Sequence, residues 1–219
     1  MIMDKSTKEK LDIIKDKFRE IRIIPVVVID QESQAEPLAE ALVKGGLPCA
    51  EVTFRTDAAA GAIRRMKQSF PELLVGAGTV LTREQVDRAA DAGAEFLVSP
   101  GFNPDTVSYA LEQGIPFTPG TQTPGEMEQA MALGLDFVKF FPAEPSGGLN
   151  MIKAVAAAYT KLSFMPTGGI NAQNVVEYLK YDRIVACGGS WMVKKDLINA
   201  GSFDEIEKLV REAAKIERI

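Results

Sequence analysis

Histidine is absent from all 219 residues of the chain. That excludes Ser-His-Asp hydrolysis, a histidine-activated cysteine, and every zinc site built on imidazole. Acid–base work must fall to carboxylates, lysine or tyrosine. Cysteine is scarce: only Cys49 and Cys187 occur, too few for a disulfide framework. Both lie in strand-like runs and are expected as buried thiols of a cytoplasmic protein. No apolar run approaches the roughly 20 residues that a membrane-spanning helix needs. The charged start, MIMDKSTKEKLDIIKDKFRE, carries no apolar core of a signal peptide. Basic residues are also in deficit, 25 against 30 acidic ones, for a net charge of −5. General affinity for nucleic acid or an acidic membrane is therefore not expected, and an anion would need a local site.

What is present is a repeating alternation. Short apolar runs occur at IIPVVVI (23–29), CAEVTF (49–54), LLVGAG (73–78) and FLVS (96–99). Four more follow at IPFTPG (115–120), DFVKFF (136–141), LSFMPTGG (162–169) and RIVACGG (183–189). Between them lie stretches of helical period such as QAEPLAEALVKGG, REQVDRAADAGA and NPDTVSYALEQG. Gly45, Gly93, Gly114 and Gly134 read as the ends of such helices. Start-to-start spacings of 19 to 26 residues suit βα units. The pattern predicts one α/β domain over 1–219, a (β/α)8 barrel with an added N-terminal helix over 1–20 and FDEIEKLVREAAKI as its last helix. An open doubly wound sheet is the alternative, since patterning alone does not close a barrel.

In such a barrel, chemistry gathers at the C-terminal ends of the strands. Lys139 sits among Phe137, Val138, Phe140 and Phe141. Alternation puts Phe137, Lys139 and Phe141 on one strand face and Val138 and Phe140 on the other. With both faces covered, the lysine has no easy route to water, and desolvation favours the uncharged amine that adds to a carbonyl. A lysine reaching solvent at the strand end, or paired with a carboxylate, is the plainer reading of this segment. In CAEVTFRT, Glu51, Thr53 and Arg55 share a face. A carboxylate there needs a partner or a task; Glu51 can move protons and Arg55 can hold a carboxylate in a bidentate fork. The glycines of PTGGI (166–170) and CGGS (187–190) end the last two strands, where backbone N–H groups and Ser190 can cradle a phosphate. Thr79, in GAGTV, either donates to a substrate carboxylate or caps a helix.

The motifs EVTFRT, VGAGTVL, VSPGF, FVKFFPAE, PTGGI and GGSW, in this order, resemble those of the 2-keto-3-deoxy-6-phosphogluconate (KDPG) and 4-hydroxy-2-oxoglutarate (KHG) aldolases. The resemblance implies a homotrimeric, metal- and cofactor-independent class I aldolase acting on a small 2-keto acid phosphate. By motif, Lys139 resembles the Schiff-base lysine and Glu51 the acid–base carboxylate. Arg55 and Thr79 match the residues that hold the pyruvate-derived carboxylate. Pro100 lines the site, Phe141 packs by the reactive carbon, and Thr167 faces substrate hydroxyls. Gly168, Gly169, Gly189 and Ser190 match the phosphate loop. Lys194 stands where the pattern has proline and is expected to be solvated. Competing readings are cleavage of KHG or of the C4 epimer, 2-keto-3-deoxy-6-phosphogalactonate. Others are a phosphate-binding barrel of another reaction type and a catalytically silent barrel used as an oligomeric scaffold.

Overall fold

The computed structural model describes residues 3–216, so the first two and last three residues of the expected 1–219 domain lie outside the described residues. The strands are β1 (Ile23–Val27), β2 (Cys49–Thr53), β3 (Leu74–Gly78), β4 (Leu97–Val98), β5 (Phe117–Thr118), β6 (Gly120–Thr121), β7 (Phe137–Phe140), β8 (Ser163–Pro166) and β9 (Cys187–Gly189). They pair in parallel in two sheets, ordered β5-β4-β3-β2-β1-β9 and β6-β7-β8. Every strand residue is buried, which is why the runs read as continuously apolar rather than alternating. The run IPFTPG forms two short strands instead of one. Pro119 separates them, because it has no N–H to give to the ladder. Its carbonyl still accepts from the Lys139 N–H at 2.9 Å.

Helices follow the strands, with starts fixed by local chemistry. Thr82 accepts from the Gln85 N–H, Asn103 from the Asp105 N–H, and Thr123 forms a reciprocal capping box with Glu126. Gly93, Gly114 and Gly134 end helices with φ of 89°, 71° and 90°. The expected cap at Gly45 is corrected. Gly46 takes the left-handed turn at φ 90°, and Gly45 is the last residue of the helix Ala35–Gly45. Gly45 serves packing instead: a Cβ there would lie 2.5 Å from Val210 of the terminal helix Phe203–Ala214.

The six-stranded parallel sheet is curled, and two apolar cores lie on its faces. The outer core joins strands to helices. The inner one collects Ile24, Cys49, Leu74, Phe96, Phe137 and Met165. The N-terminal helix Lys5–Ile21 closes its lower end. Phe18 meets Phe96 and Phe137 edge to face, at 4.9 and 6.1 Å between ring centroids. Lys8 and Lys15 fasten the helix to Asp136 at 2.9 and 3.0 Å.

Candidate active site

Directly above this inner core, the faces of β2 and β7 carry charge. On β7, Val138 and Phe140 enter the helix-facing core while Phe137 enters the inner one, so Lys139 points inward with Phe137. On β2, Val52 faces the helices and Cys49 the interior, which sends Glu51 inward as well. The two inward charges meet: Lys139 Nζ lies 3.2 Å from Glu51 Oε1, with side chains only 6% and 1% exposed. The pair belongs to two different sheets, and the curl of the larger one brings them together. The partner each residue required is the other. A buried ion pair gains little stability over apolar side chains of the same volume, so its presence asks for another reason.

The surroundings leave this pair with room and with hydrogen-bonding capacity to spare. Glu51 Oε2 is buried without a hydrogen-bond partner among the described residues. Gly78 makes room for the carboxylate, since a Cβ at that position would sit 2.4 Å from Glu51 Oε1. Lys139 Nζ stands 5.3 Å from the centroid of the Phe141 ring, where the ring's negative face favours a cation.

A cleft of about 600 Å³ opens above, lined by Arg55, Phe141, Thr167, Gly168, Gly169, Gly189 and Ser190 among others. Arg55 and Ser190 are exposed, and Thr167 is buried with a hydroxyl that has no partner among the described residues. Gly168 and Gly169 have φ of 98° and 84°, a turn that favours glycine and lets the backbone face the cleft. The structure therefore gathers most of the sequence-derived site. It does not place Thr79 or Pro100 on this lining, and the buried Lys139–Glu51 pair meets it only through Phe141. Thr79 follows Gly78 with φ 58°, an uncommon conformation for a β-branched residue. Pro100 lines a separate cleft of about 400 Å³ with Phe102 and Thr106, and its carbonyl backs onto Gly120.

Some participants carried no signal in the sequence. Glu144, in FPAE, packs against Gly169 and accepts a hydrogen bond from the buried Tyr178 hydroxyl. Burial, together with that bond, pushes the Tyr178 phenol well above its ordinary range. Tyr178 lies in the short helix Val175–Leu179, far along the chain from Glu144, so no local spacing could reveal the contact. Trp191 fills the space beside Gly189, where a Cβ would collide with its ring. At the rim, Lys195 pairs with Asp30 at 3.0 Å, while Lys194 is exposed as expected and lines the cleft. Among the described residues, no three His, Cys, Asp or Glu side chains group as a metal site requires. No helix of the described residues is long and apolar enough to cross a membrane.

Comparison with known proteins gives consistent matches. The family model for KDPG and KHG aldolase matches residues 14–209. The 2-dehydro-3-deoxy-phosphogluconate aldolase of Haemophilus influenzae is 49% identical, over 93% of this chain and 96% of that protein. The 2-keto-3-deoxy-6-phosphogluconate aldolase of Zymomonas mobilis, solved with 3-phosphoglycerate, is 40% identical with a TM-score of 0.88, covering 95% of this chain and 98% of that one. The Legionella pneumophila KDPG aldolase was captured with pyruvate as a covalent carbinolamine. It is 37% identical with a TM-score of 0.87, over 90% of this chain and 96% of that one.

Proposed function

The chain belongs to the KDPG and KHG aldolase family, and from that premise we propose that it cleaves 2-keto-3-deoxy-6-phosphogluconate to pyruvate and glyceraldehyde 3-phosphate through a Schiff base on Lys139. The observation that carries this reading is the buried contact of 3.2 Å between Lys139 Nζ and Glu51 Oε1. Passing a proton across it leaves a neutral amine beside a neutral acid. The amine adds to the C2 ketone. Two protons, one from Glu51 and one from the nitrogen, carry the carbinolamine oxygen away as water, and a protonated imine forms. Glu51, again a carboxylate, takes the C4 hydroxyl proton as the C3–C4 bond breaks, and the bonding electrons enter the imine to give an enamine. Glyceraldehyde 3-phosphate departs. Protonation of the enamine at C3 and hydrolysis release pyruvate and restore Lys139.

The other residues bind and orient. Arg55, with Thr79, holds the carboxylate of the pyruvate half. Phe141 and Pro100 flank the reacting carbons, and Thr167 faces the substrate hydroxyls. Gly168, Gly169, Gly189 and Ser190 hold the phosphate with backbone N–H groups and one hydroxyl, which suits a chain of net charge −5.

The finer architecture belongs to the same reading: a closed (β/α)8 barrel, working as a cytoplasmic homotrimer without metal or cofactor. Closure is supported at both seams between the sheets. Only Pro119 separates β5 from β6, and the bridges Phe164–Ile184 and Thr167–Gly188 link β8 to the β9 strand region. The side-by-side test is kcat/KM for the phosphorylated six-carbon substrate and for 4-hydroxy-2-oxoglutarate, before and after dialysis against a chelator. A clear preference for the phosphorylated substrate, untouched by chelation, is expected. Equal or better use of 4-hydroxy-2-oxoglutarate would move the phosphate-free reaction ahead, and activity lost to the chelator and restored by a divalent cation would overturn the Schiff-base reading.

A further inference from the structure

Beneath the reactive pair lies a second buried polar side chain with no task. Thr118 is 1% exposed, and its hydroxyl has no hydrogen-bond partner among the described residues. Its direction follows from the strand register. Phe117 enters the helix-facing core, so Thr118 takes the opposite face. Its register partner on β4 is Val98, a member of the inner core, which sets Thr118 facing the interior. The next residue, Pro119, accepts the Lys139 N–H, so the Thr118 strand runs alongside the strand that bears Lys139. Gly120 pairs in register with Lys139 itself, so Thr118, two residues earlier, lies level with Phe137, roughly 7 Å below Lys139 along the strand direction. A threonine hydroxyl buried in this way costs stability unless something satisfies it. Glu51 Oε2 is buried, unpartnered, and directed into the same interior.

We propose that Thr118 is a positioning residue for the reactive pair, its hydroxyl and Glu51 Oε2 together holding one buried water that fixes the carboxylate while Oε1 stays on Lys139. The inference rests on the Schiff-base reading above and adds to it the feature that orients the proton-transfer group. One water satisfies both orphaned atoms, and a hydroxyl that can both donate and accept matches any orientation the water takes. Valine has nearly the shape of threonine without the hydroxyl, so it separates this role from packing.

The test uses the full-length enzyme with Thr118→Val and Thr118→Ser. Three readings are taken: steady-state cleavage, the rate at which borohydride traps the pyruvate adduct, and thermal stability. For Thr118→Val, kcat and the trapping rate should both fall by about tenfold, as expected for losing a water-mediated hydrogen bond to a charged group. KM should hold, and Thr118→Ser should keep most of the rate. Wild-type kcat in the valine variant, with a raised melting temperature, would overturn the proposal and leave Thr118 as an unsatisfied core hydroxyl. A change in KM alone would overturn it too, making Thr118 a substrate contact, as would a serine variant no better than valine. Failure of the wild-type enzyme to trap pyruvate would count against the Schiff-base reading instead, so the two failures are separable.

Discussion

Replacing Lys139 with methionine keeps the apolar stem and removes the amine. Because Lys139 lies in an apolar strand and its one ion pair among the described residues is with Glu51, the fold should survive and cleavage should collapse. Lys139→Arg should fail as well, since a guanidinium stays protonated and forms no imine. Near-wild-type turnover in either variant would remove Lys139 from the mechanism. Glu51→Gln should slow turnover by about 10²–10⁴-fold, the range for loss of general acid–base catalysis, while circular dichroism shows an intact fold. Unchanged turnover would assign proton transfer to another group. At this scale the sequence was readable where polarity broke an apolar pattern: a lysine among phenylalanines and a glutamate in a buried strand stand out without any structure. Thr118 did not stand out, because a threonine in a strand is ordinary and only the structure reveals that its hydroxyl lacks a partner. Glu144 and Tyr178 escaped for a different reason, since their contact joins distant segments.

At the scale of elements, the glycine loops make binding of the phosphate separable from chemistry. Gly169 has φ 84°, and a Cβ there would sit 2.6 Å from the Glu144 side chain. Gly169→Val should therefore disturb the loop by strain and by collision. It should impair cleavage of the phosphorylated substrate far more than formation of the pyruvate adduct, which needs no phosphate. Ser190→Ala should show the same pattern more mildly, by roughly 1–3 kcal/mol for one donor to a charged group. Equal losses in kcat/KM and adduct formation would mean general damage to the mouth of the cleft. No loss for the phosphorylated substrate would place the phosphate elsewhere. The strands and helices were legible because buried parallel strands and amphipathic helices have distinct periods. The break at Pro119 follows from the missing N–H. The cap at Gly46 was displaced by one residue because two adjacent glycines, Gly45 and Gly46, look alike in sequence and only packing against Val210 distinguishes them.

For the whole molecule, the N-terminal helix joins stability to the floor of the site. Phe18 is fully buried against Phe96 and Phe137, and Phe137 lies two residues before Lys139. Phe18→Ala should cost about 3–5 kcal/mol in denaturant unfolding; a loss under 1 kcal/mol would mean that the helix is not a structural floor. The fastening charges are weaker. Burial alone would raise the Asp136 carboxyl, but hydrogen bonds from Lys8 and Lys15 outweigh it and hold it below its ordinary range. A carboxyl lowered by folding contributes stability that is present above its unfolded value, about pH 4, and is lost as pH falls through the folded value. Asp136 is 40% exposed, so solvent screening limits the contribution to roughly 1 kcal/mol or less. Asp136→Asn should reduce stability at pH 7 and lose that deficit as pH falls through the lowered folded value of the carboxyl; a deficit independent of pH would refer it to packing. The α/β class was readable from the repeat, but closure depends on contacts between strands distant in sequence, which periodicity does not encode.

The central claim is that Lys139 forms a covalent imine with a 2-keto acid. Incubating the protein with pyruvate and borohydride, followed by intact and peptide mass measurement, tests it most directly. The account predicts one reduced pyruvate adduct per chain, on the peptide containing Lys139, and none in Lys139→Met. A protein that remains unmodified, or is modified equally in the methionine variant, would contradict it.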